Sequence, residues 1–587
     1  MFKQGIYMGI DIGGSWIKAV GVKMDSTITI KDVPHLVKSS LKFKVKSRLR
    51  NNGSVDDFIL ALGELFNQMK TSQPILGIGI STAGVVDYKG EAVTVAAGHL
   101  TVLKDANWRK YLSERFNAPV TLINDANATA IGAAAEGYLK GLHTIGIMPI
   151  GTGLGFTIWR NGRRWEPNHL LPLLGSIDTP IGSFDQVAGV SALAEKTNNN
   201  LSLIFTSSQF EQEKTTYIEN LSKVIYSACM IYHTDVILIG GGLAEAVKSE
   251  QNNVERSLED KVNTSLAIFN KTVRIKIMPE GNTLPLIGAV LLAMGESIVQ
   301  KENSTISYKN IRTERPYEKS LPLHRLNAES LVEKFYEAEQ YSGNQLEESL
   351  SDISEVAATL TEKLNKGGRL IYVGAGTSGR LAAIDTVELA CTFGFPRDRV
   401  YTLISGGLPD AAIEIEANFE EDASAVPELL LTSLNKNDVV IGISVSGYAH
   451  YVLSALALSK EIGAYTVLIQ ECSDTNVSFC DKIIALNSGL EIIAGSTRMK
   501  AGTATKKVLN FISTTAMVLL GKVYGPYMIE MECINQKLIH RAQNILYNLF
   551  GLDEKESYAI LKENRFDLKT TILKLSDKHN GIKTNNN

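Results

Sequence analysis

Short apolar runs alternate with longer amphipathic stretches through most of this chain, which is the pattern of an α/β protein. Many of the apolar runs end in glycine or small polar residues. Tyr7-Met-Gly-Ile-Asp-Ile12 turns at Gly13-Gly14 and stays extended to Lys18. Gly77–Asp87 is a second glycine-punctuated strand, and Val120-Thr-Leu-Ile123 ends at Asn124, where a helix begins. Ile147–Ile150 leads into Gly151-Thr-Gly-Leu-Gly155, and Val236–Ile239 into Gly240-Gly-Gly-Leu243. Around residues 300–316 the chain turns polar, loses core periodicity and ends in Pro316, the signature of a linker. Beyond it, Arg369–Val373 opens into Gly374-Ala-Gly-Thr-Ser-Gly-Arg380 and a helix, and Asp438–Ile443 ends at Ser444 and Ser446. Roughly 535–580 is helical in pattern, and the last few residues look frayed. The expected division is 1–300, a linker at 301–312, a second α/β unit at 313–540, and a helical region with its tail at 541–587.

A length of 587 residues implies two to four domains. Lys and Arg total 59 against 63 Asp and Glu, a net charge of -4, so no electrostatic case exists for nucleic acid or membrane partners. Met1–Tyr7 lacks the order of a signal peptide, and no apolar run reaches the roughly 18 residues of a membrane span. Cys229, Cys391, Cys472, Cys480 and Cys533 form no CxxC pair. Reduced thiols in a cytoplasmic enzyme without structural zinc are the expectation.

The glycine turns are the candidate chemistry of the first half. A double glycine lets backbone approach phosphates closely, and Asp11 beside it can hold a hydrated Mg²⁺; a simple hairpin turn is the alternative. Asp125 can serve as a general base or merely cap the helix that follows it. In order and spacing, the segments over residues 7–295 resemble the ROK sugar kinases of the actin-like ATPase superfamily. The resemblance implies a two-lobed, ribonuclease H-like unit that uses ATP and Mg²⁺. Asp11, Gly13, Gly14, Ser15, Gly151, Thr152, Gly153, Gly240 and Gly241 would surround the nucleotide. Asp125 would be the base, and Asn124, Glu166 and His169 would contact sugar. No cysteine lies between His169 and Cys229, so the zinc many relatives carry is not expected, and Trp16 beside Ser15 is unusual.

In the second half, the turn at Gly376, Thr377, Ser378 and Gly379 joins a strand to a helix, where backbone N–H groups and the helix dipole favour an anion. It is no nucleotide P-loop, because no Gly-Lys-Ser/Thr closes it. Ser444 and Ser446 offer a second lip, or cap the next helix. The pair resembles the doubly wound sugar isomerase (SIS) fold. Gly495-Ser-Thr-Arg-Met-Lys-Ala-Gly-Thr-Ala-Thr-Lys506, with Val508–Asn510, Ser513-Thr514 and Gly521–Gly525, resembles the N-acetylmuramic acid 6-phosphate etherases. Glucokinase regulatory protein is a non-catalytic relative of that family.

The etherase resemblance implies an acid at Glu388, a base at Glu421 or Glu420, and a charge at Lys500 near the substrate, with no cofactor. The apolar window around Glu388 is expected to favour its acid form. Tyr448, Ala449 and His450 replace residues of the family pattern beside Ser446. The combined expectation is a bifunctional enzyme that phosphorylates an amino sugar and then removes lactate from the sugar phosphate, as in recycling of cell-wall sugars. The alternatives are a sugar-phosphate-binding regulator of the attached kinase, or a lyase acting on another sugar phosphate. A homodimer through the SIS domain is the family-level expectation.

Overall fold

The first apolar run becomes a central strand. β1 (Gly5–Ile12) is buried along its whole length, as a strand covered on both faces must be. It pairs antiparallel with β2 (Trp16–Met24), which pairs antiparallel with β3 (Lys42–Lys46). On its other side β1 runs parallel to β4 (Ile75–Thr82), and β4 to β5 (Val120–Asn124). Helix α1 (Asp125–Ala135) follows β5 directly. The same plan recurs: β6 (Thr144–Pro149), β7 (Thr157–Arg160) and β8 (Arg163–Arg164) form the antiparallel part, and β9 (Val236–Gly240) and β10 (Arg274–Ile277) run parallel to β6. Two sheets of order β3-β2-β1-β4-β5 and β8-β7-β6-β9-β10 therefore give the two lobes expected of an actin-like unit.

Helix α2 (Phe184–Ala188) stands beside the second sheet, and α3 (Gly241–Ala246) leaves β9. Helix α4 (Leu284–Glu302) meets the first lobe backbone to backbone. A Cβ at Gly79 would stand 1.8 Å from the Ala289 oxygen, and one at Gly288 2.0 Å from the Ala128 oxygen.

The computed structural model describes residues 4–25, 28–49, 53–69, 73–87, 90–96, 101–105, 108–160, 163–164, 174–180, 182–198, 200–302, 314–315, 317, 322–343, 345–407, 424–471, 477, 479–531, 533 and 535–583. By packing, one unit comprises Met1–Ser307, Leu403–Asn435 and Tyr448–Ala464, and the other Tyr308–Thr402, Lys436–Gly447 and Tyr465–Asn587. Most of the expected linker lies outside the described residues; its first two, Lys301 and Glu302, continue α4.

The second unit carries a five-stranded sheet of order β12-β11-β13-β14-β15, formed by β11 (Leu370–Gly374), β12 (Val400–Ile404), β13 (Val439–Ile443), β14 (Tyr465–Gln470) and β15 (Lys482–Ala485). β11, β13, β14 and β15 are parallel neighbours. The order reverses between β11 and β13, so the crevice at their carboxyl ends is where a doubly wound sheet binds ligands. Helix α5 (Leu350–Asn365) precedes β11, α6 (Gly376–Phe393) follows it, and α7 (Lys500–Leu519) packs on the same core. Helices α8 (Gln536–Phe550), α9 (Glu554–Glu563) and α10 (Leu568–Lys583) close on a small core of their own with Ile529 and Met531. Among the described residues no helix is long and apolar enough to cross a membrane.

Candidate functional site

In the first unit the strand register brings the glycine turns together. Asp11 lies opposite Ser81 on β4, and Thr82 opposite Asn124 on β5, so three strands end at one level. The Ser81 hydroxyl donates to Asp11 Oδ1 at 2.9 Å, and Lys18 Nζ stands 3.6 Å from Oδ2. The hairpin tip touches the Gly151–Gly153 loop through Ser15 Oγ and Thr152 Oγ1, 3.1 Å apart. The Gly240-Gly241 turn joins the same loop: Ile150 N donates to the Gly240 oxygen at 3.1 Å, and a Cβ at Gly241 (φ 75°) would lie 2.5 Å from the Ile150 oxygen. Trp16 is 39% exposed, with the Lys44 ammonium 4.1 Å from its ring centre.

Asp125 occupies the first turn of α1, but it is not the cap. Asn124 is the N-cap residue, its carbonyl accepting from Ala126 N and Asn127 N. Asn124 Nδ2 also donates to the Gly84 oxygen at 2.9 Å, and the same side chain hydrogen-bonds the Asp125 carboxylate. Burial, then the nearby Asp11 carboxylate, pushes the Asp125 carboxyl up to about 7. Its carboxyl lies beneath the glycine loop, since a Cβ at Gly155 would be 3.5 Å from Asp125 Oδ1. Asp11 presents hard oxygen donors beside these turns, a donor set that fits a hydrated Mg²⁺.

One acid in this cleft escaped the sequence reading. Asp185, on α2, accepts from Leu154 N at 2.6 Å, lies within 2.9 Å of where a Cβ on Gly153 would sit, and adds to the field on Asp125. Its signal is weak: the Ser183–Gln186 capping box marks the helix start that carries it. Glu166 and His169 lie outside the described residues.

In the second unit the two lips sit at the switch point. Val373 and Gly374 pair with Gly442 and Ile443, so the Gly376–Gly379 turn and Ser444 leave adjacent strands at the same edge. A Cβ at Gly374 would come 2.7 Å from Gly379 N, which explains how tightly helix follows strand, and Gly376 (φ 50°) opens α6 in a left-handed conformation. Thr377, Ser378 and Ser446 are half-buried, and Ser444 is buried. Ser444 and Gly447 close a tight turn, with Gly447 N donating to the Ser444 oxygen at 2.9 Å. Tyr448 and Ala449 lead into a helix whose first residue is His450.

The apolar window around Glu388 does not bury it. Ile384 and Val387 are exposed, at 49% and 60%, and Glu388 and Cys391 share their face of α6. Composition placed apolar neighbours beside Glu388, but helical periodicity turns them outward with it. The buried acid of this helix is Asp385. Lys500 is also buried rather than presented at the surface: it is 1% exposed and its ammonium donates to the Leu490 oxygen at 3.1 Å.

Two further buried carboxylates brace this region. Glu491 accepts from Lys500 N and Ala501 N at the start of α7, and burial pushes its carboxyl up. Glu471 accepts from Ser488 Oγ at 2.6 Å and Gly489 N at 2.7 Å, while its own N–H donates to the Val445 oxygen. A charge inside Leu490–Ala494, and another directly after Tyr465–Gln470, were available as signals. Glu420 and Glu421 lie outside the described residues.

These sites define a ROK-family domain followed by an SIS domain. Residues 7–170 match the ROK family model, and residues 352–460 match the glucokinase regulatory protein N-terminal SIS domain. N-acetylmuramic acid 6-phosphate etherase 2 of Bacillus licheniformis is 41% identical over 262 residues, 44% of this chain and 88% of that protein. The etherase of Geobacillus thermodenitrificans is 38% identical over 266 residues, 45% of this chain and 90% of its own length. Through this second half, the chain belongs to the N-acetylmuramic acid 6-phosphate etherase family. Among solved structures, a ROK family glucokinase from Streptomyces griseus in complex with glucose and AMPPNP is similar at 20% identity and a TM-score of 0.38, covering 49% of this chain and 99% of that one.

Proposed function

We propose that the chain is a bifunctional enzyme, an amino-sugar kinase joined to an N-acetylmuramic acid 6-phosphate etherase. The observation that carries this reading is the pair of phosphate-sized turns at the switch point of the second sheet, in a segment 41% identical to an etherase. The boundaries we propose are 1–300 for the kinase, 301–312 for the linker, 313–540 for the etherase and 541–587 for the helical region.

In the kinase reaction, Asp125 takes the proton of the sugar 6-hydroxyl as that oxygen attacks the γ-phosphorus of ATP and the bond from that phosphorus to the β-phosphate oxygen breaks, releasing ADP. An ionisation near 7 suits a base working at neutral pH. Asn124, Glu166 and His169 contact the sugar. Asp11 would hold hydrated Mg²⁺, which would offset charge on the phosphates, while Gly13, Gly14, Ser15, Gly151, Thr152 and Gly153 would cradle the phosphates and Gly240-Gly241 would border the adenosine. Positioning is most of what phosphoryl transfer asks of a protein, and the Ser15–Thr152 contact sets the two glycine loops together.

In the etherase reaction, Gly376–Gly379, Ser444 and Ser446 hold the 6-phosphate, and Lys500 adds positive charge behind them. The open-chain aldehyde acidifies the proton at C2, which Glu421 or Glu420 removes. Glu388 protonates the ether oxygen as D-lactate leaves, and water adds to the unsaturated aldehyde, giving N-acetylglucosamine 6-phosphate. No step needs a redox cofactor or metal. The exposed stripe of Ile384, Val387 and Cys391 around Glu388 fits a homodimer through the SIS domain, which would close Glu388 off from water.

A second reading, a sugar-phosphate-binding regulator, is favoured by the match of residues 352–460 to a regulatory SIS domain. One assay separates the two: N-acetylmuramic acid 6-phosphate is supplied without ATP and D-lactate is measured. The enzyme releases lactate; a regulator binds the sugar phosphate and releases none.

A further inference from the structure

The signature that begins at Gly495 extends well past Lys500, and its later residues converge on one buried carboxyl. Asp385, on α6, is 3% exposed. The Tyr372 hydroxyl of β11 donates to its Oδ2 at 2.8 Å, and the Ser513 hydroxyl of α7 to its Oδ1 at 3.1 Å. The Lys506 ammonium, also on α7, stands 3.7 Å from the same Oδ1 and donates to Asn510 Oδ1 at 2.8 Å. Tyr372 is fully buried; burial and the adjacent carboxylate hold its hydroxyl protonated, so it stays a donor. One residue along, Thr386 and Thr402 of β12 share a hydroxyl hydrogen bond of 2.7 Å.

Three elements therefore grip residues 385 and 386, and Glu388 lies less than one helical turn further on. Ala382, Leu389 and Phe393 already bury the apolar side of α6, so adhesion does not require a carboxyl there. Apolar burial is non-directional and tolerates rotation and sliding of a helix, whereas hydrogen bonds do not. A slip of one residue would move Glu388 by about 1.5 Å along the axis and swing it by about 100°.

We propose that Asp385 is a positioning residue: by bonding Tyr372, Ser513 and Lys506 it fixes the rotation and register of α6, and with them the direction of the Glu388 carboxyl. The proposal rests on the reading of Glu388 as the etherase acid. Asp385 itself is too enclosed to meet substrate and acts through Glu388. It also gives a task to Lys506 and Ser513.

The test is steady-state lactate release from N-acetylmuramic acid 6-phosphate by the full chain, with its kinase reaction as an internal control of folding. Asp385→Asn is expected to lower kcat by about tenfold to a hundredfold, as sub-ångström to ångström misplacement of a catalytic group does. KM should stay within about twofold, because the phosphate lips are untouched. Sugar phosphorylation should be unchanged. Wild-type kcat in this variant overturns the proposal, and so does a loss of kcat and KM together that tracks a lower unfolding midpoint. If Asp385→Asn does not fold, Ser513→Ala takes its place, with an expected fall in kcat of about threefold; an unchanged kcat there overturns the proposal. A wild-type chain that releases no lactate instead overturns the etherase reading, and this inference falls with it.

Discussion

Replacing Asp125 by Asn should stabilise the first unit while abolishing its proposed chemistry. Burial and the Asp11 carboxylate raise the folded ionisation of Asp125 to about 7. An unfolded aspartate ionises near about 3.9, so the gap amounts to about 4 kcal/mol against the folded state once both forms are charged. The sign follows from the raised value: the stability is whole below about pH 4, falls as pH rises, and is fully lost above about pH 7. Water reaching the half-buried residue screens the loss to about 2 kcal/mol. Asn gives up about 0.5 kcal/mol of helix-dipole stabilisation at this first-turn position.

A net gain of about 1.5 kcal/mol at pH 8 remains, or about 2 °C in the melting midpoint of a unit this size. At pH 4 the gain should vanish. Calorimetry of the wild-type chain and Asp125→Asn at both pH values tests this, with phosphoryl transfer followed in parallel. Wild-type transfer should rise with pH through about 7, and the variant should show none. A variant no more stable than wild type at pH 8, or equally stabilised at pH 4, refutes the reasoning.

Asp438 is fully buried and accepts from Arg369 N, Nε and Nη2 at 3.0, 3.1 and 2.6 Å, so Asp438→Asn should cost about 3 kcal/mol in urea unfolding of the second unit. Chelating Mg²⁺ with EDTA should stop sugar phosphorylation and leave lactate release from the 6-phosphate intact, measured in one tube with both substrates. If a second copy covers the exposed stripe on α6, Val387→Asp should shift sedimentation from dimer to monomer, because it would bury an unpaired charge.

The fold was largely legible because its signals are local. Glycine at the ends of apolar runs marked nearly every turn that the strand registers later assembled at one edge, and the doubled sheet of the first unit came from the resemblance of its segments to the ROK sugar kinases. What was not legible depended on which way a helix faces. The window around Glu388 holds Ile384, Val387 and Leu389, yet only Leu389 is buried. Asp385, three residues earlier, looked no different in sequence, and its importance appears only when Tyr372, Lys506 and Ser513 converge from distant segments. Lys500 was singled out for its charge, but its position at the buried start of α7 gives its ammonium a backbone carbonyl as partner. Asp185 was missed because it is one unremarkable acid in a helix of five residues, brought under Gly153 by a fold its own segment does not encode.

The most direct test of the account is to give the full chain unphosphorylated N-acetylmuramic acid, with and without MgATP, and to measure D-lactate. The account predicts lactate only with MgATP, and lactate from the 6-phosphate without it. Lactate from the free sugar in the absence of ATP, or none from the 6-phosphate, would contradict the claim that one unit makes the group the other grips.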